Sequence, residues 1–407
     1  MSRAWWTTVV LVAGGLAVSS SAPAFGQGVV VVGCGAVLTT DTTLTADVLD
    51  CVGDGLVVGA DNVTLNLNGH LVDGDAVEDP TDVGIRVAGH RGVRVTNGTV
   101  QGFYRGVVFE SSPSGVASSL TVRQSSRRGI VFLDGSDGAQ VLDNVSADNG
   151  GSGITVVASD GASVVGNHSV RNPGGAGIRL VGATHATVTG NTVTDDQIGV
   201  QMEDSSANRV ADNAISGAAE IAVVVDFSTG NLIDHNHISR SGDGVTLESA
   251  DDNVITGNQI LHLVGPDGIG IQIYGNRNLV ARNTVIDSVR YGIEVDDFGD
   301  PGHSPAVDNV VRDNVVNGGG EGIAIGPEAG GVVLRTVVAH NVVTGATDDG
   351  IQLVGPSTGL ATSTLTGNTA VHNGNLGIEA APGTIDGGGN HAAGNGNHLQ
   401  CLNIACR

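Results

Sequence analysis

Residues 177–202 read GIRLVGATHATVTGNTVTDDQIGVQM, and the first and last four letters of this stretch follow one pattern. Each is a glycine, an apolar residue, any residue and a second apolar residue. The two copies begin 22 residues apart, and the pattern occurs thirteen times at spacings of 22 to 30 residues. The copies begin at Gly84, Gly106, Gly129, Gly153, Gly177, Gly199, Ala222, Gly244, Gly270, Gly292, Gly322, Gly350 and Gly377. A repeat of this length is typical of a solenoid.

An asparagine follows each copy after about eleven residues, between two short runs rich in β-branched residues. These asparagines are Asn144, Asn167, Asn191, Asn213, Asn236, Asn258, Asn283, Asn314, Asn341 and Asn368. Each copy contains two or three short strands and no helical period. We expect the coils to stack about 4.8 Å apart as parallel sheets around an apolar interior. The asparagines should point inward and bond from coil to coil.

Composition and charge limit the function. The 407 residues are 40% hydrophobic, with 64 Gly and only 3% aromatic residues, which excludes a helical bundle. The net charge is −24, from 42 acidic and 18 basic residues, and every basic residue is Arg. We expect no nucleic-acid partner and no membrane insertion, because such a field repels phosphate. Mechanisms that need a lysine are also excluded.

The N-terminus predicts export. Arg3 precedes an apolar stretch over 9–18, and Ala22-Pro23-Ala24 supplies the small residues of a cleavage site. We therefore assign 1–24 as a signal peptide. No other segment has the roughly 18 apolar residues that a membrane span needs, so we expect a secreted, extracellular monomer.

The four cysteines lie at the two ends of the exported chain. Of three possible pairings we expect Cys34–Cys51 and Cys401–Cys406, since each would then tie down one terminus. Four reduced thiols are the alternative. Because open solenoid ends expose strand edges, we assign 25–50 and 391–407 as caps, and 51–390 as the repeat domain.

The repeat resembles the right-handed parallel β-helices, which include pectate lyases, mannuronan epimerases and NosD. The stretch from Gly33-Cys34-Gly35 to Asn68-Gly69-His70 is also similar to the leader of secreted β-helix proteins. The resemblance covers roughly residues 50–390. It implies an all-β, right-handed parallel β-helix of about thirteen coils with disulfide-tied caps. The same repeat serves lyases, hydrolases, epimerases and adhesins, so it decides the fold more than the function.

Two outward positions of each repeat should form vertical rows on one sheet. Over five adjacent coils these rows carry Gln201 and Glu203, Val224 and Asp226, Thr246 and Glu248, Gln272 and Tyr274, and Glu294 and Asp296. Stacked carboxylates repel one another unless a cation bridges them or a proton is retained. The stripe therefore predicts calcium-assisted binding or acid–base work, and the alternative is a solvated face of an acidic protein. No other cofactor and no metal ligand could be assigned.

The three longest repeats insert residues near 296–306, 326–334 and 354–362, which should stack as a wall beside the stripe. The segment 291–297 is similar to the catalytic segment of mannuronan epimerases. The resemblance implies that Tyr291 handles the proton at the sugar C5, that Glu294 replaces the family Asp, and that Asp297 matches the last acid. Asp296 stands at the position of the catalytic His, and His303 in the loop could compensate.

We expect a protein that binds an extracellular polysaccharide and processes it as a lyase or uronate epimerase, with Tyr291, Glu294 and Asp296 as catalytic residues. The expected ligand-binding residues are Gln201, Glu203, Asp226, Glu248, Gln272, Tyr274, Asp297 and His303. The alternative is a non-catalytic solenoid for surface display, adhesion or structure. The sequence leaves open whether the protein is an enzyme.

Overall fold

The computed structural model describes residues 32–297, 305–327 and 331–407. The segment 1–24, expected to be a signal peptide, lies outside them. Within the described ranges every regular element is a β-strand, apart from a 3-10 turn at Leu360–Thr362. None of the described helical structure is long and apolar enough to span a membrane.

The strands build a solenoid in which each coil passes through three parallel sheets. Sheet 1 has 16 strands. They are Ala36–Leu38, Leu56–Val58, Val83–Ala88, Arg105–Glu110, Arg128–Leu133, Ile154–Val157, Ala176–Val181, Ile198–Glu203, Ile221–Asp226, Asp243–Glu248, Ile271–Tyr274, Tyr291–Val295, Glu321–Ile325, Ile351–Leu353, Ile378–Ala380 and Cys401–Leu402.

Sheet 2 follows sheet 1 in each coil. Its strands are Thr42–Thr43, Thr64–Asn66, Arg94–Gln101, Val116–Arg123, Gln140–Leu142, Ser163–Val165, Thr187–Thr189, Arg209–Ala211, Leu232–Asp234, Val254–Thr256, Leu279–Ala281, Val310–Arg312, Val337–Ala339, Thr364–Thr366 and Ile385–Gly388. The third and fourth of these are long enough to continue into sheet 3.

Sheet 3 closes each coil. Its remaining strands are Val48–Cys51, Leu71–Gly74, Val145–Ala147, His168–Val170, Thr192–Thr194, Ala214–Ser216, His237–Ser239, Gln259–Leu261, Thr284–Ile286, Val315–Asn317, Val342–Thr344, Thr369–Val371 and His391–Ala393. A separate pair of short strands, Ala306–Val307 and Val333–Leu334, lies in the longer loops.

The predicted fold class is confirmed, but the predicted number of coils is too small. Sheet 1 has 16 strands where the sequence pattern counted thirteen. The additional strands are Ala36–Leu38, Leu56–Val58 and Cys401–Leu402. The segments expected to be caps thus contain strands that pair with the neighbouring coils.

The interior consists of columns of aliphatic side chains. Ile178, Val200 and Val223 lie side by side on successive strands of sheet 1 and are all 0% exposed. The recurring glycine precedes such a residue at the corner where the coil enters sheet 1. A Cβ on Gly292 would lie only 2.3 Å from the Cγ1 atom of Val316. The glycine and the apolar residue after it both face the interior, so there is room for only one of the two side chains.

The expected asparagine ladder is confirmed, and Asn390 extends it by one residue. In each step the side-chain oxygen of one asparagine accepts bonds from the backbone and side-chain N–H groups of the preceding one, as Asn258 does from Asn236. Asn144 and Asn167, which begin two of the glycosylation sequons in the sequence, are each only 1% exposed. The buried amides satisfy one another and the corner backbone.

Both expected disulfides are present, Cys34–Cys51 and Cys401–Cys406. The first closes a loop of 17 residues at the start of the solenoid, and the second closes one of 5 residues at its end. In the chain-entropy model a loop of about 15 residues stabilises the fold by about 3 kcal/mol. Each disulfide ties down an end that has a neighbouring coil on one side only.

Candidate functional site on the outer face of sheet 1

The rows expected on sheet 1 are in register. Along the first row Gln201, Val224, Thr246, Gln272 and Glu294 are neighbours on successive strands. In the second row the neighbours are Glu203, Asp226, Glu248 and Tyr274. We call these nine positions together with Asp296 the polar stripe. Parallel pairing thus brings together side chains that are 22 to 26 residues apart in sequence.

Exposure varies along the polar stripe. Glu294 and Asp296 are each 0% exposed, and Val224 and Thr246 are nearly buried as well. The other six positions are partly exposed. A fully solvated face, the alternative considered from sequence, therefore does not describe the C-terminal end of the stripe.

Asp226 is a carboxyl group of the stripe with a raised pKa. It stands between Glu203 and Glu248 on the neighbouring strands. Burial, followed by the charge of Glu248, raises the pKa of Asp226 to about 6. Gln201 donates a long bond of 3.5 Å to its Oδ2 atom. A carboxyl group with this pKa can hold or release a proton near neutral pH.

Gln272 connects the two rows further along. Its Nε2 atom donates to the Oη atom of Tyr274 over 2.9 Å and to the Oε2 atom of Glu294 over 2.7 Å. The amide therefore fixes a phenol and a carboxylate relative to each other. This contact brings Tyr274 and Glu294 into one hydrogen-bonded group. The repeat spacing predicted that these side chains are near one another, but not that they share a hydrogen-bond partner.

Tyr291 and Glu294 belong to the same strand, Tyr291–Val295. The ring of Tyr291 is 6% exposed and packs with Ile269 and Ala324 on the outer side of the sheet. The guanidinium carbon of Arg290 lies 5.0 Å from the ring centroid. Packing and a cation–π contact thus hold the ring in place.

Asp296 and Asp297 contact the longer loops. The Oγ atom of Ser357 donates to Asp296 over 2.9 Å, and the backbone N–H of Val332 donates to Asp297 over 2.7 Å. The described parts of the loops also pair directly, between Val332 and Thr358. These contacts agree with the expected stacking of the loops. His303 lies outside the described residues.

An arginine cluster was not predicted. Arg105 and Arg128 are neighbours on sheet 1, and Arg127 is adjacent to the second of them. Arg179 occupies the first row of the face, directly before Gln201. We call these four residues the arginine cluster. The signal for it in the sequence is the arginine directly before the repeat glycine, at Arg105 and at Arg128.

The described residues contain no group of three or more His, Cys, Asp or Glu side chains placed to hold a metal ion. Within the polar stripe, burial and the charge of Glu248 raise the pKa of Asp226 to about 6, so this carboxyl retains a proton to higher pH than an ordinary aspartate does. Calcium binding stays a prediction.

Family models agree with this architecture. The model described as "Right handed beta helix region" matches residues 156–300 and 199–370, more than half of the chain. The chain belongs to the right-handed β-helix family. A second model, the periplasmic copper-binding protein NosD, matches residues 39–218. A search of curated protein sequences found no match.

Comparison with solved structures finds similar chains at low sequence identity. The A-module of the mannuronan C-5 epimerase AlgE6 from Azotobacter vinelandii is 15% identical, with a TM-score of 0.54 over 84% of this chain and 91% of that one. A mutant of the periplasmic alginate epimerase AlgG is 13% identical, with a TM-score of 0.48 over 74% and 72%. DFA-IIIase from Arthrobacter chlorophenolicus A6 is 17% identical, with a TM-score of 0.45 over 58% and 68%. The terminal disulfides are typical of proteins outside the cytoplasm.

Proposed function

We propose that this protein is secreted and binds an extracellular polysaccharide along the polar stripe. The carrying observation is the register of sheet 1, which stacks hydrogen-bonding side chains on five successive strands. Neighbouring strands are about 4.8 Å apart, so the stripe offers a straight row of regularly spaced groups. An extended polymer fits such a row better than a compact ligand does.

The partly exposed residues are suited to sugar hydroxyls. Gln201 and Gln272 provide amides that both donate and accept, and Tyr274 provides a phenol on an apolar ring. The contact of Gln272 with Tyr274 and Glu294 holds these groups before a ligand arrives. Such preorganisation lowers the entropy cost of binding.

We also propose a reaction, the removal of the proton at C5 of a uronate, as in a lyase or epimerase. The proposed catalytic residues are Tyr291, Glu294 and Asp296, and Asp226, whose pKa is raised to about 6, is one of the proposed ligand-binding residues. In epimerisation the proton leaves one face of the sugar and another returns to the opposite face. In elimination the bond from C4 to the glycosidic oxygen breaks, and that oxygen takes a proton.

The test compares two glutamines. Gln272→Ala removes a side chain from the polar stripe, and Gln259→Ala removes a matched, exposed side chain from sheet 3. Binding to a panel of oligosaccharides should weaken about tenfold for the first variant and stay unchanged for the second. A wild-type protein that binds no oligosaccharide, or equal losses in the two variants, would contradict the proposal.

Catalysis needs its own readout. Mass spectrometry of polyuronates after incubation should show new unsaturated ends or altered epimer content. The double change Tyr291→Phe and Glu294→Gln should abolish either product. Binding without turnover in the wild type would favour the non-catalytic alternative, in which the solenoid is a rigid display scaffold. Repeating both assays with calcium and with a chelator tests the expected calcium dependence.

A further inference from the structure

The arginine cluster is unusual in a protein with a net charge of −24. Elsewhere arginines commonly pair with acidic neighbours, as Arg171 does with Asp148 and Arg335 with Asp308. In the cluster two arginines occupy directly neighbouring positions of a parallel sheet. Like charges at this distance repel one another, so their juxtaposition needs an explanation.

Arg179 of the arginine cluster pairs with Glu203 of the polar stripe, whereas the other three guanidinium groups have few protein partners. Among the described residues, neither Arg127 nor Arg128 makes a side-chain hydrogen bond or an ion pair. The Nη2 atom of Arg105 donates only to the carbonyl oxygen of Pro80, over 3.2 Å. The Nε atoms of Arg105 and Arg179 are buried without a hydrogen-bond partner in the described structure. Buried donors are costly when unused, and the guanidinium groups of Arg127 and Arg128, which are at least partly exposed, are free to bind a ligand.

The positive charges of the arginine cluster also repel one another. Burial, followed by the charges of Arg179, Arg127 and Arg105, lowers the pKa of Arg128. A bound anion would offset the charge and accept the unused hydrogen bonds.

Two clefts meet at the arginine cluster. The first has a volume of about 210 Å³, and Arg127, Arg128, Arg179 and Gln201 are among the residues that line it. The second is lined by Pro80, Tyr104, Arg105, Arg127 and Arg128. Gln201 is the first residue of the polar stripe, so the first cleft is continuous with the proposed polysaccharide site.

Stacked glycines keep the first cleft open. Gly151 and Gly174 form part of its wall. A Cβ on Gly174 would lie 2.0 Å from the carbonyl oxygen of Gly150, and one on Gly151 would lie 2.4 Å from that of Arg127. The close stacking of the coils thus excludes side chains from this wall, and the guanidinium groups face a space without competing side chains there.

We propose that the arginine cluster is an oxyanion subsite that holds a carboxylate or sulfate group of an anionic glycan. Guanidinium forks match both groups, because each presents pairs of oxygen atoms to parallel N–H donors. This inference rests on the proposed function in one respect: the glycan would continue over Gln201 onto the polar stripe. It deepens that function by placing an anionic group of the ligand at the arginine cluster, which gives the site a direction.

The experiment measures binding of three oligosaccharides of equal length: an oligogalacturonate, a sulfated oligosaccharide and a neutral cello-oligosaccharide. The variant combines Arg127→Gln and Arg128→Gln. Arg240→Gln, an exposed arginine outside the cluster, controls for the loss of charge. We expect at least tenfold weaker binding of an anionic probe to the double variant and less than twofold change in the control. The anionic probe that loses affinity identifies the group as carboxylate or sulfate.

The outcomes separate the two proposals. If the neutral probe binds as well as the anionic ones and the double variant binds all three normally, the polysaccharide site stands and the oxyanion subsite is wrong. If inorganic sulfate raises the melting temperature of the wild type but not of the double variant, while no oligosaccharide binds, the subsite stands and the proposed function is wrong. Equal effects of the double variant and Arg240→Gln would overturn the subsite as well.

Discussion

The N-terminal and C-terminal parts of the sheet 1 outer face differ in charge although their backbones are equivalent. Arg105, Arg128 and Arg179 occupy the first part, whereas Asp226 and Glu248 lie further along, in a different row of the same face. The interior below both parts is one continuous apolar core, which contains the stacked rings of Phe109 and Phe132 below the first part and aliphatic residues further along. A solenoid thus separates stability from chemistry, because the inward residues fix the rows and the outward residues are free to vary.

Both parts of the face depend on the same solenoid scaffold. We expect the largest effect on stability from a substitution that disrupts the asparagine ladder of that scaffold. Asn258→Ala removes an amide that accepts from Asn236 and donates to the carbonyl of Ile233 and to Asn283. We expect a loss of about 2–4 kcal/mol in the free energy of unfolding, because buried donors and acceptors stay unsatisfied. Denaturant unfolding measures this loss.

The matched control for the ladder is Asn317→Ala. Asn317 is exposed, although it lies three residues after the ladder member Asn314. We expect this variant to change the free energy of unfolding by less than about 0.5 kcal/mol. A loss of similar size in both variants would show that the ladder is not the source of stability.

The part of the sheet 1 face that carries Asp226 and Glu248 should make the stability of the protein depend on pH, whereas the part that carries the arginine cluster should not. Burial raises the pKa values of Asp196 and Asp226 to about 6 from an ordinary value near 3.8. The folded protein therefore keeps protons that the unfolded chain releases. The resulting stabilisation is complete below about pH 4 and is lost as the pH rises through 6. We expect the melting temperature to fall by roughly 2–4 °C between pH 5 and 8.

Variants assign this pH dependence. Asp226→Asn should flatten the curve, since the amide does not titrate, whereas Arg128→Gln should shift it without changing its slope. Asp349 also contributes to the pH dependence of the melting temperature, because burial and a hydrogen bond with Glu379 raise its pKa. A melting temperature that rises from pH 5 to 8 in the wild type would contradict the sign.

The smallest expected effect concerns repulsion within the arginine cluster. Arg128→Gln removes a charge from beside Arg105 and Arg127 and should raise the melting temperature by about 1 °C at low salt. The gain should disappear at 0.5 M sodium chloride, since screening weakens the repulsion. A decrease of more than 2 °C would mean that the arginine side chain stabilises the fold by packing.

Much of the fold was predictable because the inward positions repeat. The glycine pattern located thirteen strands of sheet 1, and it missed Leu56–Val58 although Gly55 precedes that strand in the same pattern. A second asparagine ladder was also missed. Its members are Asn208, Asn231, Asn253, Asn278 and Asn309, each five residues before a member of the first ladder. Both signals were present in the sequence.

The site was less predictable because outward positions follow no repeat. Register correctly aligned Glu203, Asp226 and Glu248, but it gave no indication that Glu294 and Asp296 are buried. Burial depends on what covers the face, which spacing along the chain does not encode. The arginine cluster combines residues from two different rows, Arg128 and Arg179, so reading one row at a time could not reveal it.

The most direct test is a crystal structure of the protein with a bound oligogalacturonate. The account predicts a chain of sugars on the outer face of sheet 1, with one carboxylate bonded to Arg128 and the neighbouring sugars over Gln201 and Gln272. A ligand on sheet 2 or sheet 3, or one on sheet 1 that leaves both the arginine cluster and the polar stripe untouched, would contradict it.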